Sequence, residues 1–241
     1  MLMQVPHSRV DTPGEPCSEI ASRLSESQVT GSGFYCRAGK RLLDLGIASV
    51  GLVLLVPLFA LCAAVIKFSS PGPIFFRQHR VGRYGRLFHI LKFRSMVAGA
   101  ERVGLGITSS GDTRVTRTGT TLRRLKLDEL PQLWNVVKGE MSLVGPRPEL
   151  PEYVASYDPQ QRRVLDVRPG ITDIASIRFR HEEELLRRSP DPDRFYREVL
   201  LPQKLALNLE YMQKISFSFD VYLVFQTLVL LLFSFRPLER R

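Results

Sequence analysis

The longest charge-free stretch of the chain, LGIASVGLVLLVPLFALCAAVI, runs from Leu45 to Ile66. As one straight helix it would reach about 33 Å at about 1.5 Å per residue, enough for the roughly 30 Å hydrocarbon layer of a bilayer. Two features argue against a simple span. Basic residues flank both ends, with Arg37, Lys40 and Arg41 before it and Lys67, Arg77, Arg80, Arg83 and Arg86 after it, so a crossing would place one cluster on the wrong side. Pro57, near the middle, removes the bond to the Val53 carbonyl at a cost of about 3 kcal/mol in an ordinary helix interior. A helix-break-helix that dips in and returns explains both facts. Spanning helices do tolerate proline kinks, so a single span stays open on these residues alone.

Elsewhere the apolar pattern is shorter. VYLVFQTLVLLLFSF, from Val221 to Phe235, would measure about 22 Å as a helix and contains Gln226, which suits a core or interfacial helix. Just before it, Leu205, Leu209 and Met212 recur at helical offsets with Lys204, Glu210 and Lys214 on other faces. Either a surface helix or a core helix fits that pattern. Between the apolar ends, PIFFRQHRVGRYGRLFHILKFRSM places apolar and aromatic runs around the glycine-bearing VGRYGR and predicts a β-hairpin leading into Leu91–Met96. SGDTRVTRTGT reads as a short strand or loop. From Asp128 the period becomes helical, with Leu130, Leu133, Trp134 and Val137 on one face, Pro131 in the first turn and Gly139 at the end. The expected fold is α+β, mainly helical with short β-hairpins. The pattern divides it into a disordered tail (1–36), an apolar broken-helix segment (37–68), a polar domain (69–201) and C-terminal amphipathic or interfacial helices (202–241). The tail is rich in Pro, Gly, Ser and charge, too poor in apolar residues to repay its ordering entropy.

Composition narrows the partners. A formal net charge of +10 over 241 residues favours anions, whether nucleic acid, phospholipid headgroups or phosphorylated small molecules. Cys17, Cys36 and Cys62 are widely spaced and the four histidines are scattered, which disfavours a zinc site or a disulfide framework.

The carboxylates of LDELPQLWN, Asp128 and Glu129, follow directly on the basic LRRLK. With Asp128 as N-cap and Glu129 opening the helix, plain capping is the bland explanation. Adjacent helical residues do not share a face, so a paired general acid and base is excluded. The surroundings point to chemistry. Arg123, Arg124 and Lys126 precede the pair, GPRP holds Arg147 between prolines, and RPG carries Arg168. Stiff turns that fix guanidinium forks suit phosphate oxygens.

In their order and length, KRLLDL, SPGPIFFRQHRVGRYGRLFHILKFRSM, DTRVTRTGTTLRR, LDELPQLWNVVKGEMSLVGPRPE and VRPGIT resemble the small monotopic phosphoglycosyl transferases, or bacterial sugar transferases. The resemblance covers roughly residues 40–235. It implies a monotopic protein on the cytoplasmic face of the bacterial inner membrane, with its apolar helix re-entrant. It implies transfer of a phosphosugar from a UDP-sugar to polyprenyl (undecaprenyl) phosphate, with release of UMP and a need for Mg2+, as the initiating step of surface glycoconjugate or exopolysaccharide synthesis. The partners so implied are the UDP-sugar, the polyprenyl phosphate and the bilayer rather than nucleic acid, with a homodimer left open. Carried over by motif, Asp128 is the nucleophile that forms an acyl-phosphosugar and Glu129 its companion, the two also being the metal ligands. Lys92 and Arg94 of KFRSM, with Arg123, Arg147 and Arg168, become phosphate and nucleotide contacts.

A carboxylate approaching a phosphate at 4 Å is repelled by about 4 kcal/mol at an effective dielectric of 20. That is worth about a thousandfold in rate, so preplaced cations are required. Some positions depart from the family pattern: Val56 and Lys126 stand where serine is common, and Asp173 and Ser176 where glycine and glutamine are usual. The segment after RPGIT is a candidate sugar-specificity region or a structural loop. Two other function classes fit parts of the pattern: a membrane-associated, metal-dependent phosphohydrolase, and a basic anionic-lipid or nucleic-acid binding module.

Overall fold

The structure, a computed structural model, describes residues 35–100 and 106–234; the expected tail, save its last two residues, lies outside them. After a π-helical turn at Tyr35–Gly39, helix α1 (Lys40–Leu54) and helix α2 (Val56–Ser69) form a pair bent by 61°. Pro57 falls in the first turn of α2, where its absent N–H has no intrahelical partner to lose. The break therefore sits at Leu55, two residues ahead of the proline. No single helix among the described residues is long and apolar enough to cross a membrane.

The hairpin is present as β1 (Phe75–Val81) and β2 (Leu87–Phe93), antiparallel, with Phe75 opposite Phe93 and Val81 opposite Leu87. Its tip turns through Tyr84 at φ 58° and Gly85 at φ 75°. The SGDTRVTRTGT segment is loop through Thr116, with an isolated bridge between Met96 and Val115, as expected, and only its last four residues enter helix α3 (Arg117–Arg124). Thr116 caps it by accepting from Gly119 N at 2.9 Å, which outweighs the weak helix propensity of its threonines and glycine.

The acidic motif also folds differently from expectation. Leu127–Glu129 is a single 3-10 turn, and helix α4 (Gln132–Lys138) starts only after Pro131. Asp128 is thus not an N-cap. Gly139 does end the helix in the left-handed region, at φ 84°. The face α4 buries is Gln132, Asn135 and Val136, while Trp134 stands 52% exposed. Asn135 sets that face: it donates to His89 O at 2.8 Å and accepts from Leu91 N at 3.0 Å, pinning α4 across β2.

Strands β3 (Ser142–Val144) and β4 (Gly170–Thr172) pair in parallel and hold the GPRP and RPG loops side by side. Gly170 N donates to Pro146 O at 2.9 Å. A Cβ on Gly145 would lie 2.5 Å from Arg168 O and one on Gly170 2.2 Å from Gly145 N, so this approach requires glycine at both positions. Short helices α5 (Pro151–Val154), α6 (Ile174–Arg178), α7 (Glu182–Arg188) and α8 (Pro192–Phe195) lead through a π-helical turn into α9 (Leu201–Gln213) and then α10 (Phe217–Ser234).

Helix α9 is core. Leu205, Leu209 and Met212 are buried, and so is Lys204, which pairs with Glu182 at 3.0 Å and Glu149 at 3.6 Å instead of facing outward. Its neighbour α10 is two-sided, burying Asp220 and Leu223 while exposing Phe217, Phe225 and Leu228. Asp220 accepts from Lys40 at 2.5 Å, Tyr35 at 2.6 Å and Tyr211 at 2.7 Å, fastening the start of α1 to the last helix. A separate apolar cluster of Cys62, Ile66, Phe93 and Leu122, joined by Leu127, seats the acidic turn against α2.

Candidate active site

Lys126, in the left-handed region at φ 55°, swings the chain out of α3 and into the turn that presents the two carboxylates. They end up in different environments. Glu129 accepts from Lys92 Nζ at 3.0 Å and from Arg147 Nη1 at 3.2 Å, with Arg147 Nη2 closing the fork on Oε1. Burial works to raise its pKa, but the Arg147 and Lys92 charges prevail and hold the carboxyl well below the ordinary range. Asp128 is 6% exposed, and its Oδ1 has no hydrogen-bond partner among the described residues. Burial, then the Glu129 charge, raise its pKa, against the pull of Lys92, Lys126 and Arg123.

The cations respond in turn. Burial pushes Lys92 below its ordinary value despite Glu129, with Arg147 adding to the push, whereas Glu129 raises Arg147. Arg147 is further fixed through its backbone, whose N–H donates to Asp173 Oδ2 at 3.2 Å. The other oxygen of Asp173 caps α6 by accepting from the backbone N–H of Ser176 at 2.6 Å, so Asp173, one of the positions that depart from the family pattern, joins α6 to Arg147. The structure therefore brings Asp128, Glu129, Lys92 and Arg147 into one group, with Arg123 close enough to act on Asp128.

Three of the expected phosphate contacts have other partners. Arg123 pairs with Glu183 at 2.5 Å, on the segment after RPGIT. Arg94 is buried and donates to Ile66 O at 3.3 Å and to Ser70 O at 2.7 Å, closing the end of α2. Arg168 donates from Nε to Gly139 O at 3.1 Å, at the opposite end of α4 from the acidic turn. Sequence reasoning missed Glu183, the charge on Arg123, and Gln132, whose Nε2 is buried without a partner beside the acidic turn. Glu183 carries no sequence signal beyond one acid among three, in HEEELL.

No group of three or more His, Cys, Asp or Glu among the described residues could hold a metal ion. Mg2+ commonly takes only one or two protein carboxylates and completes its shell with water and substrate phosphates. The unpartnered Oδ1 of Asp128 fits that use, while both oxygens of Glu129 are engaged by Arg147 and Lys92.

Residues 35–234 match the bacterial sugar transferase family, and the chain belongs to it. Among similar proteins, a UDP-N-acetylgalactosamine-undecaprenyl-phosphate N-acetylgalactosaminephosphotransferase of Aeromonas hydrophila is 38% identical over 81% of this chain and 44% of its own length. A UDP-glucose:undecaprenyl-phosphate glucose-1-phosphate transferase of Caulobacter vibrioides is 38% identical over 80% of this chain and 69% of its own. The exopolysaccharide production protein ExoY of Sinorhizobium fredii is 35% identical over 78% and 83%. The chain thus spans less than half of the Aeromonas protein and most of the other two.

Proposed function

We propose that this chain transfers a phosphosugar from a UDP-sugar to undecaprenyl phosphate and releases UMP, through an aspartyl intermediate on Asp128. The observation that carries the reading is the division of labour in the acidic pair. Glu129 is consumed by Lys92 and Arg147, and Asp128 keeps a buried oxygen without a partner. An Asp128 oxygen attacks the β-phosphorus of the donor, and the bond from that phosphorus to the bridging oxygen breaks, so that UMP leaves with the oxygen. A phosphate oxygen of the lipid then attacks the same phosphorus, breaking the aspartyl bond and restoring the carboxylate. Lys92, Arg123 and Arg147 offset the repulsion between carboxylate and phosphate. Glu129 holds Arg147 in place without competing as nucleophile. Mg2+, held by Asp128 together with the donor phosphates, supplies further neutralising charge when bound.

The proposed setting is the cytoplasmic face of the inner membrane, with α1 and α2 re-entrant. Supporting it, Leu42, Val50, Val53, Leu54, Leu61 and Phe68 of the bent pair are all 58% or more exposed, and exposed apolar faces mark membrane or partner contacts. The packing of the acidic turn on Ile66 and Cys62 of α2 through Leu127 supports a reacting group close to the layer such an acceptor would occupy.

Release of UMP from a panel of UDP-sugars, with and without undecaprenyl phosphate, tests the reading. Sustained release that requires the lipid, with one phosphosugar of added mass on Asp128 in its absence, is the expected result. Lipid-independent turnover would identify a phosphohydrolase. No turnover of any UDP-sugar, with membrane binding retained, would leave a binding module.

A further inference from the structure

At the end of α4 remote from the acidic turn, two arginines bind the last carbonyls of the helix and a third approaches from the hairpin tip. Arg41 donates to Val136 O at 2.6 Å and Val137 O at 2.9 Å, and Arg168 donates from Nε to Gly139 O at 3.1 Å. The third is Arg83, at the hairpin tip, which donates from Nε to Asp166 O at 2.8 Å, two residues before Arg168. All their partners are carbonyls. Among the described residues no carboxylate lies within ion-pair distance of any of the three. Three guanidiniums held together without a counter-ion repel one another. Burial first, then Arg83 and Arg41, push Arg168 below its ordinary pKa, against the weaker pull of Asp44. Asp44 cannot serve as the missing partner, because it lies on the buried face of α1 and its Oδ1 accepts from Leu143 N at 3.0 Å. Glu140, which follows Gly139, is taken by Lys138 and Asn135, and Asp166, whose backbone carbonyl receives Arg83, keeps its exposed carboxylate outside ion-pair distance.

The rim of this cluster is apolar and aromatic. Tyr84 is 63% exposed with the Arg83 guanidinium 4.4 Å from its ring centroid, Leu87 is 60% exposed, and Leu42, next to Arg41, is 64% exposed. Cations backed by carbonyls and edged by exposed Tyr and Leu match the interface of an anionic leaflet, where phosphate meets acyl chain. We infer that Arg41, Arg83 and Arg168 form a binding site for the phosphate of an anionic phospholipid headgroup, separate from the Asp128 centre. The site rests on the membrane placement proposed above but not on the transfer chemistry.

Native mass spectrometry and vesicle co-sedimentation of the full chain test the assignment. Vesicles of phosphatidylcholine with and without 30 mol % phosphatidylglycerol, a probe composition of roughly physiological charge, are compared for the parent, Arg83→Gln and Arg86→Gln. Arg86 is exposed at the same tip, outside the cluster. Arg83→Gln is expected to weaken binding to the anionic vesicles about fivefold and to lose the lipid retained in the mass spectrum, with Arg86→Gln and neutral-vesicle binding close to parental. Equal losses in Arg83→Gln and Arg86→Gln would reduce the effect to diffuse charge and overturn the site. Displacement of the retained phosphatidylglycerol by millimolar inorganic phosphate at matched ionic strength would make it a soluble-anion site and equally overturn the proposal. UMP release, measured in parallel, keeps a failure of the transferase reading distinct: lipid retention that depends on Arg83 would survive an inactive enzyme.

Discussion

Arg147 spans both oxygens of Glu129 with its two guanidinium arms, and the acid one residue earlier, Asp128, is left with a bare oxygen. A forked pair is geometrically specific as well as strong, which explains an arginine rather than a lysine between the two prolines of GPRP. The pair separates two chemically identical groups into a scaffold and a reactive partner, and the consequences can be measured.

Asp128→Asn is expected to lower UMP release by at least about a thousandfold, the loss typical when the group that forms the new bond is removed. Stability should move the other way. The native pKa of Asp128 lies above the ordinary 3.8, so its ionised form is disfavoured in the folded state at neutral pH. The variant is therefore expected to melt no lower than the parent at pH 7.5, by differential scanning fluorimetry. A variant that retains activity removes Asp128 as the nucleophile.

Glu129→Gln tests the coupling of the pair. Loss of the Glu129 charge, and exposure of Asp128 to an unopposed Lys92 and Arg147, favour ionised Asp128. Residual activity should then show an acid limb displaced to lower pH. For stability the sign is reversed: Glu129 lies below its ordinary 4.5, so its stabilisation is present above that pH and fades as pH falls through its native value. Parent and variant should differ by about 3 kcal/mol in denaturant unfolding at pH 7 and converge in acid.

Arg94→Met removes the guanidinium that ties β2 to the end of α2 through Ile66 O and Ser70 O. Leaving those carbonyls and Ser70 Oγ without their donor is expected to cost about 2 kcal/mol or more of unfolding free energy. The KM for the donor in the folded fraction should stay within about twofold of the parent, because Arg94 does not join the Asp128 group. A large KM change with unchanged melting would return Arg94 to the substrate.

Asp220→Ala should be among the most destabilising single changes, about 3 to 5 kcal/mol, because it leaves Lys40 partly buried and unpaired and deprives Tyr35 and Tyr211 of their acceptor. Hydrogen exchange should rise at the start of α1 and in α10 together. Protection confined to one of the two helices would show that Asp220 does not fasten them.

The re-entrant placement predicts that cysteines introduced at Ala38 and Ser70 are both unreactive to an impermeant thiol reagent in intact cells and both reactive once the membrane is opened. Reaction of only one in intact cells would establish a span.

How much of this was legible beforehand depends on the range of the interactions. The hairpin was readable because apolar alternation and VGRYGR are local signals, and the α1–α2 break because proline acts within one turn. Gly139 was readable for the same reason. Misreadings came where tertiary contacts overrode local ones. Of the period on α4, Leu133 and Val137 do pack on the core, but Asn135 bonds to β2 and centres the buried face on itself, which leaves Trp134 outside. The choice between a surface and a core helix for α9 stayed open because the partners that let Lys204 be buried, Glu149 and Glu182, lie far away in sequence. At the site, motif order placed Asp128, Glu129, Lys92 and Arg147 together. Proximity in sequence says nothing, however, about which carbonyl an arginine prefers, and so Arg94 and Arg168 were grouped with the acidic pair, whereas the fold holds Arg94 at the end of α2 and Arg168 beside Gly139, away from the acidic turn.

The 61° bend has a mechanical side. Seated in the bilayer as proposed, arms of 15 and 14 residues reach only about 22 Å each and lean rather than stand upright. Such a wedge displaces acyl chains from a single monolayer and leaves the opposing one untouched.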